Sequence, residues 1–278
     1  MSKRWVAIDG RKTSEEIAPT TEVAGIPLIA RQLRCAARAG LAGAKIVYQS
    51  EEQFAAVKAC LLRHPIPSEF RIERANPAEI EDPQLAQLHP LGVYTPAQLK
   101  DAAAGPVAPE MLVNTRSDIP DAQRLLFARI RKSLELDGLI SYFVIRPFSR
   151  IFTRALVNTR ISPNQITSCA LVCGLTAAVC AGLGGYLYGA IAGGLYWLGG
   201  VIDHVDGEVA RLRLQSSKAG EWLDSMTDEA STFSLLAGLG IGLAADGSGD
   251  YWALLGVGGS LLGVVMVGRL YFDLHRLK

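Results

Sequence analysis

The sequence predicts an α/β soluble N-terminal domain followed by an all-α polytopic membrane domain, with an interfacial amphipathic helix between them. In residues 1–116, short strand candidates alternate with helix candidates and charged residues are spread throughout, as in a small layered α/β domain. In the last third, charge-free runs near the length that crosses a bilayer recur, and residues 168–202 contain no charged side chain. We therefore divide the chain into residues 1–116, 117–160 and 161–278.

The N-terminal domain carries strand and helix signals in alternation. Strands are predicted at 5–9, 44–50 and 70–75, and helices at 27–40, 51–64 and 95–102. The first helix ends at Gly40, and the last begins with Thr95 at the N-cap and Pro96 at the first helical position. This order favours helices packed on a small sheet.

Residues 23–48, VAGIPLIARQLRCAARAGLAGAKIVY, resemble the helix and following strand of nucleotidyltransferase domains that make CDP- or NDP-activated compounds. Those enzymes cradle phosphate with a glycine-rich loop after the first strand. Here residues 9–22, DGRKTSEEIAPTTE, stand in place of that loop. The resemblance therefore implies a short, degenerate relative that is catalytically silent and serves regulation or assembly.

Residues 117–160 form a basic amphipathic segment directly before the first predicted span. Its basic residues from position 121 onward are Arg124, Arg129, Arg131, Lys132, Arg146, Arg150, Arg154 and Arg160. Apolar residues recur on the other side, which is typical of a helix at the headgroup level of a membrane, although an ordinary solvated helix has the same pattern. Pro147 is expected to bend or interrupt this helix.

Four transmembrane helices are predicted at about 164–184, 188–210, 220–244 and 250–270. Basic residues flank the first span on its N-terminal side, lie between the second and third, and return after the fourth, whereas the connection between the third and fourth is acidic. The positive-inside rule then predicts a multi-pass protein of the cell inner (plasma) membrane, with its N-terminus and active site in the cytoplasm. The N-terminal residues lack the apolar region of a signal peptide, so no cleavable signal is expected.

Three other features bear on partners and chemistry. The five cysteines show no metal-type spacing and are expected to be reduced, buried thiols. Alternating glycines at 238–242 and 256–259 permit close helix contacts and favour a homodimer. Membrane lipids account for the basic segment, so no nucleic-acid partner is expected.

Four aspartates lie where the second and third spans meet the cytoplasm: Asp203, Asp206, Asp224 and Asp228. Each carboxylate at membrane depth costs about 2.5–3.5 kcal/mol, so four uncompensated ones cost roughly 10–14 kcal/mol. The first two are spaced i,i+3 and the last two i,i+4, so each pair occupies one helical face. A short loop makes the two helices antiparallel neighbours, and oxygen-only ligands then favour a hard divalent cation, Mg²⁺ or Mn²⁺.

Four further residues stand at fixed spacing from the aspartates, namely Gly207, Ala210, Arg211 and Gly220. Together the eight positions resemble the signature of the CDP-alcohol phosphotransferase family. The sequence PNQIT at 163–167 is similar to the start of that family's first span, and residues 137–149 are similar to the interfacial helix of its inositol-phosphate-handling members. The resemblance covers residues 121–278, and since the family norm is six spans, a C-terminally shortened membrane domain is expected.

The resemblance implies a role for each position. Asp203, Asp206 and Asp224 hold the metal that binds the CDP pyrophosphate, and Asp228 completes the carboxylate set. Asp228 is also the general base for the acceptor hydroxyl, which attacks the β-phosphorus and releases CMP. The residues that line the nucleotide pocket are Gly207, Ala210 and Gly220, with Asn164 and Thr167 near it. Arg211 either contacts phosphate or pairs with Glu208 or a lipid headgroup.

The sequence does not determine the identity of the donor or of the acceptor. The donor is CDP-diacylglycerol, which gives a phospholipid, or CDP-inositol, which gives a di-inositol phosphate, and the sequence leans toward the lipid product. The acceptor is a polar or lipid alcohol such as inositol phosphate or glycerol phosphate. Its phosphate would be held by Lys132, Arg146, Arg150 and Arg154, although anionic lipids would attract the same residues.

Two other functions fit part of the pattern. A non-catalytic membrane scaffold would hold metal or nucleotide and release no CMP. A cation transporter also uses membrane carboxylates, but it gives no reason for the glycine, alanine and arginine positions. His204 stands at a variable position between two aspartates and points to another face, so we expect it not to be a metal ligand.

Overall fold

The computed structural model of the protein describes residues 4–80, 82, 85–102, 105–130, 139 and 141–276. The chain forms two compact units. The first comprises Met1–Arg131 with Leu212–Leu214, and the second Lys132–Arg211 with Gln215–Lys278.

The first unit alternates strands and helices along the chain. Its elements are β1 (Trp5–Asp9), β2 (Glu22–Val23), β3 (Ile26–Pro27), α1 (Leu28–Arg38), β4 (Gly43–Val47), α2 (Glu51–Arg63), β5 (Arg71–Arg74), α3 (Pro77–Ile80), β6 (Ala86–Leu88), β7 (Gly92–Val93), α4 (Pro96–Asp101), β8 (Gly105–Pro106), β9 (Met111–Leu112) and α5 (Asp118–Arg129). All six predicted elements lie within two residues of observed ones at their starts. The α/β class of this region is confirmed.

A parallel sheet of five strands in the order β5-β4-β1-β6-β8 forms the centre of the first unit. Strand β1 pairs with β4, with Val6 opposite Ala44, and also pairs with β6. Val6 and Ile8 of this central strand are fully buried, and so is Leu33 of α1, which packs in the same apolar core. Helix α5 buries Ala122 and Leu126, which explains why the unit extends beyond residue 116.

Helix α1 holds the loop that follows β6. The side-chain amide of Gln32 donates hydrogen bonds to the carbonyls of His89, Pro90 and Gly92 at 2.8–3.0 Å. Beyond the end of α1, Gly40 adopts a φ of 81°, a left-handed conformation that glycine accepts without strain. A polar side chain on the buried face of this helix therefore fixes a turn that the sheet alone would leave unsupported.

The second unit is helical. It contains a short π-helical turn (Ser141–Ile145), then α6 (Arg146–Leu156), α7 (Pro163–Gly182), α8 (Tyr186–Leu212), α9 (Lys218–Ala245) and α10 (Tyr251–Arg276). Helix α7 begins with a capping box, in which Ser162 and Gln165 satisfy each other's backbone N–H groups, and with Pro163 in its first turn. An α/β region followed by a helical region is the order that the sequence predicts.

Helix α6 turns its polar side inward and its apolar side outward. Arg146, Ser149 and Thr153 are buried, whereas Phe148, Ile151 and Phe152 are exposed. A solvated helix would have the opposite orientation, so this arrangement favours the predicted membrane-interface helix. Pro147 lies in the first turn of α6, and the π-helical turn directly precedes that helix.

Among the described residues, two helices are long and apolar enough to cross a membrane by length and composition, Pro163–Gly182 and Tyr251–Asp273. The other two predicted spans correspond to α8 and α9, which have 27 and 28 residues. These two helices are less apolar in composition because they contain glycines, polar aromatic side chains and the aspartate-bearing ends. The structure thus contains all four predicted helices, and composition alone identifies two of them as spans.

The glycines of α9 are used for packing inside the chain. A Cβ at Gly238 or Gly242 would overlap backbone carbonyl oxygens of α7, and one at Gly240 would lie 2.5 Å from the carbonyl oxygen of Trp252 in α10. These glycines therefore allow three helices to approach closely. The glycine pattern predicts a homodimer, and this stays a prediction. The α9 glycines do not support it, because they pack against helices of the same chain.

Candidate active site

Three of the four aspartates converge where the C-terminal half of α8 lies beside the N-terminal half of α9. One carboxylate oxygen from each of Asp203, Asp206 and Asp224 lies within 4.8 Å of the other two. Helical spacing explains the arrangement, since Asp203 and Asp206 are nearly one turn apart on α8. The predicted meeting of carboxylates from two neighbouring helices is therefore present.

The aspartate group has the donors that a hard divalent cation requires. Asp206 is 4% exposed, and one oxygen each of Asp203 and Asp224 is buried without a hydrogen-bond partner among the described residues. Buried carboxylate oxygens without donors are costly unless a cation or proton compensates them. Oxygen donors from three carboxylates fit Mg²⁺ or Mn²⁺, with further positions left for water and substrate phosphate.

Helix α7 holds one of these carboxylates in place. The hydroxyl of Thr167 donates a short hydrogen bond to Asp206 and also lies 3.1 Å from the carbonyl oxygen of Pro163. Thr167 is buried, so the contact is shielded from competing water. This residue was predicted beside the nucleotide, and the structure adds that it orients a candidate metal ligand.

A cavity of about 120 Å³ opens on one side of the aspartates, and we call it the Arg211 cavity. Its wall includes all six residues predicted for the nucleotide pocket, Asn164, Thr167, Gly207, Ala210, Arg211 and Gly220, as well as Asp206 and Asp224. Helix α9 begins at this cavity, with Ser217 capping the backbone N–H of Gly220 at 3.0 Å. A helix N-terminus and an arginine together favour an anion such as a phosphate group.

The side chain of Arg211 folds over Gly207. A Cβ at position 207 would lie 3.2 Å from the Nη1 atom of Arg211, so glycine leaves the space that this guanidinium needs. Of the partners considered for Arg211, Glu208 is engaged by α6: it accepts from Arg146 at 3.0 Å and also from Ser149 and Thr153. The position of Arg211 in the cavity wall is the one expected for a phosphate contact.

A second cavity, of about 250 Å³, opens on the other side of the aspartates, and we call it the Tyr196 cavity. Its wall includes Asp203 and Asp228 and four hydroxyl side chains, those of Tyr196, Thr227, Ser231 and Thr232. These hydroxyl residues are not among the site residues that the sequence predicts. Their signal is visible in hindsight, because polar side chains one turn beyond Asp228 interrupt an otherwise apolar helix.

His204 is not part of the group formed by Asp203, Asp206 and Asp224. Its Nδ1 atom donates to the carbonyl oxygen of Gly200 at 2.9 Å, so Nε2 accepts from the hydroxyl of Ser141 at 2.7 Å. A distance of 3.8 Å separates Nδ1 from the nearest oxygen of Asp203. The imidazole therefore ties the π-helical turn to α8.

The predicted acceptor-phosphate residues have different positions. Lys132 lies outside the described residues. Arg146 is 2% exposed and its guanidinium is bonded to Glu208, so its contact with an acceptor phosphate stays a prediction that this buried ion pair does not support. Arg150 is half-buried and Arg154 exposed, and neither lines the Arg211 cavity or the Tyr196 cavity.

Comparison with known proteins agrees with this geometry. Residues 160–272 match the protein family described as CDP-alcohol phosphatidyltransferase. The matched part is the helical region of the chain, which is similar to that family. The signature aspartates and the residues of the Arg211 cavity all lie within the matched part.

Three relatives carry the name "Bifunctional IPC transferase and DIPP synthase". The protein of Aquifex aeolicus is 31% identical over 152 residues, that of Archaeoglobus fulgidus 35% over 127, and that of Thermococcus kodakarensis 33% over 155. These alignments cover 55%, 46% and 56% of this chain, and 34%, 25% and 34% of the respective relatives. The chain thus spans about a third or less of the relatives' length, and the match fits the inositol-phosphate-handling CDP-alcohol phosphotransferases.

Proposed function

We propose that the protein is an integral-membrane enzyme that transfers a phospho-alcohol group from a CDP-alcohol to an acceptor hydroxyl and releases CMP. The observation that carries this proposal is the convergence of three carboxylates, one buried and two half-buried, beside a cavity with an arginine and a helix N-terminus. A pyrophosphate needs both parts, since cations and N–H donors neutralise its charge.

The residues of the Arg211 cavity would bind and orient the donor. Mg²⁺ or Mn²⁺ bound by Asp203, Asp206 and Asp224 would neutralise negative charge on the pyrophosphate. Thr167 keeps Asp206 in position, and Arg211 offers N–H groups to a phosphate oxygen. Gly220 leaves room for the nucleotide because it carries no Cβ, and Gly207 leaves room for the guanidinium of Arg211.

Asp228 would act as the general base. Its carboxylate takes the proton of the acceptor hydroxyl, the hydroxyl oxygen bonds to the β-phosphorus, and the bond from that phosphorus to the CMP oxygen breaks. CMP leaves with the electron pair of the broken bond, and Asp228 afterwards returns its proton to solvent. The assignment is supported by position, since Asp228 lies one turn beyond Asp224 and lines the Tyr196 cavity together with Asp203.

The donor remains one of two compounds, CDP-diacylglycerol or CDP-inositol. The similarity to proteins named IPC transferase and DIPP synthase favours CDP-inositol, whereas the long apolar helices also suit a lipid donor. In the membrane, α7 to α10 would span the bilayer and α6 would lie at its cytoplasmic surface with Phe148, Ile151 and Phe152 toward lipid. The N-terminal domain would serve regulation or assembly.

The test is CMP release by purified protein in detergent with Mg²⁺ or Mn²⁺. Each donor is offered with inositol phosphate and with glycerol phosphate, and Asp228→Asn is the matched variant. Metal-dependent release that the variant abolishes would establish the transferase and identify the donor. Nucleotide binding without release from any combination would favour the non-catalytic scaffold instead.

A further inference from the structure

The Tyr196 cavity and the Arg211 cavity differ in charge. The Arg211 cavity contains a guanidinium and a helix N-terminus, both of which attract anions. Among the described residues that line the Tyr196 cavity there is no lysine, arginine or histidine, and its carboxylates belong to Asp203 and Asp228. A phosphate group placed there would meet like charges and no cation of the chain.

The hydroxyl groups of the Tyr196 cavity lie on the same two helices as the aspartates. Tyr196 is two turns before Asp203 on α8, and Thr232 is one turn beyond Asp228 on α9. The hydroxyls of Tyr196 and Thr232 share a hydrogen bond of 3.0 Å across the helices. The hydroxyl groups therefore line the cavity wall from Tyr196 to Asp228, the candidate base.

These hydroxyls retain hydrogen-bonding capacity for a ligand. Ser231 donates to the carbonyl of Thr227 at 2.8 Å, which leaves its oxygen lone pairs as acceptors. The pair formed by Tyr196 and Thr232 uses one proton, so a second hydroxyl proton remains to be donated. Donors and acceptors without net charge are the partners that alcohol groups require.

Small residues give the cavity its space. Gly174, Gly199 and Gly200 form part of its wall. A Cβ at Gly200 would have no atom within 4 Å, so a side chain at this position starts in open space beside the cavity. A substitution at this position can therefore fill the cavity.

We propose that the Tyr196 cavity binds the uncharged polyol part of the acceptor and presents one of its hydroxyls to Asp228, while any phosphate of the acceptor stays outside the cavity. This inference rests on the proposed transfer reaction and adds the substrate class of the acceptor side. Tyr196, Ser231 and Thr232 are then its specificity-determining residues. The donor's own alcohol has the same chemistry, and the kinetic test below separates the two sources.

The first experiment fills the cavity with Gly200→Leu and compares it with Gly194→Leu. Gly194 lies on the same helix, also has open space around its Cβ position and does not line the cavity. We expect Gly200→Leu to raise the acceptor KM at least tenfold and to leave the donor KM within about twofold of wild type. An unchanged acceptor KM would overturn the proposal, and an equal rise in the donor KM would assign the cavity to the donor's alcohol.

The second experiment removes hydroxyls one at a time with Tyr196→Phe, Ser231→Ala and Thr232→Val. Loss of one neutral hydrogen bond should raise the acceptor KM about 2- to 10-fold. Free inositol, which carries no phosphate, should compete with the acceptor and not with the donor. The proposal would be overturned if free inositol did not inhibit when it is added up to the concentration at which the acceptor saturates the enzyme.

A binding measurement tests the assignment of the Tyr196 cavity without requiring turnover. Wild-type protein with Mg²⁺ and CMP is titrated with radiolabelled inositol phosphate, and the titration is repeated with Gly200→Leu. Binding that Gly200→Leu abolishes and Gly194→Leu preserves supports the cavity assignment even if no CMP is released from any donor. Equal binding by all three proteins, or by none, overturns it.

Discussion

The guanidinium of Arg146 and the carboxylate of Glu208 form a buried ion pair with a distance of 3.0 Å between Nη1 and Oε1. Glu208 is two residues beyond Asp206, and it also accepts hydrogen bonds from Ser149 and Thr153. Helix α6 therefore fixes the rotation of α8 about its own axis. That rotation decides whether the aspartates of α8 face the aspartates of α9.

Breaking this pair should destabilise the helical region. Glu208→Gln removes the carboxylate charge that faces the buried Arg146 guanidinium, and breaking a buried ion pair typically costs about 3–5 kcal/mol. We expect a lower midpoint of thermal unfolding in detergent, together with reduced CMP release. Arg160→Gln, which removes an exposed cation just before α7, is the control and should leave the midpoint unchanged.

The double variant Arg146→Met/Glu208→Leu distinguishes a charge effect from a packing effect. Removing both charges should restore most of the unfolding free energy that Glu208→Gln loses. A double variant as unstable as the single one would show that the hydrogen bonds from Ser149 and Thr153 carry the stability instead.

Thr167→Val should weaken metal binding. The hydroxyl of Thr167 orients Asp206, and loss of such an outer partner typically lowers metal affinity or activity by about 10- to 100-fold. The measurement is Mn²⁺ affinity by electron paramagnetic resonance, which needs no turnover. Thr176→Val is the matched control, because the hydroxyl of Thr176 bonds to the carbonyl oxygen of Val172 in its own helix, away from the aspartates. Equal Mn²⁺ affinity in both variants would remove Thr167 from the site.

Gly207→Ala should separate donor binding from stability. The new Cβ would lie 3.2 Å from Arg211 and push its guanidinium away from the cavity, so we expect the donor KM to rise about 10-fold or more. Alanine is the better helix former by about 1 kcal/mol, so the thermal midpoint should not fall. Gly189→Ala, in open space on the same helix, provides the reference, and an unchanged donor KM would contradict the role given to Arg211.

Cys35 should be unreactive in the folded N-terminal domain. Burial raises the pKa of its thiol to about 11, and the thiol donates to the carbonyl oxygen of Tyr94 at 3.3 Å. At pH 8 roughly one such thiol in a thousand is ionised, so maleimide should modify Cys35 slowly before denaturation and rapidly after it.

The same thiol sets a pH dependence of stability. Because the folded-state pKa lies above the unfolded value, its contribution is present below about pH 9 and is lost as the pH rises toward 11. Denaturation of the full chain at pH 8 and pH 10.5 should therefore show a smaller pH effect in Cys35→Ala than in wild type. An equal pH effect in both proteins would assign the loss of stability at high pH to other groups.

Fixed spacing was the sequence signal that predicted the site best. It placed Gly207, Ala210, Arg211 and Gly220 around one cavity, because residues spaced along a helix keep their faces whatever the neighbours are. The spacing of residues does not predict which residue a buried charged side chain pairs with. Arg146 has the sequence context of a phosphate ligand, and only the docking of α6 shows that its partner is Glu208.

Close helix packing and the second cavity were also beyond the sequence. Glycine repeats predict contact with another helix, and they do not say whether that helix belongs to the same chain. Tyr196 is on α8 whereas Ser231 and Thr232 are on α9, and they become a site only because α8 and α9 lie side by side.

The position of the aspartates between two cavities has a kinetic consequence. Asp206 and Asp224 line one cavity and Asp203 and Asp228 the other, so the donor need not leave before the acceptor arrives. If the donor binds in the Arg211 cavity and the acceptor in the Tyr196 cavity, as proposed, both substrates can occupy the protein at once, and no covalent phospho-alcohol form of the enzyme is needed between them. Initial-rate plots at several fixed acceptor concentrations should therefore intersect, whereas parallel lines would indicate a ping-pong order.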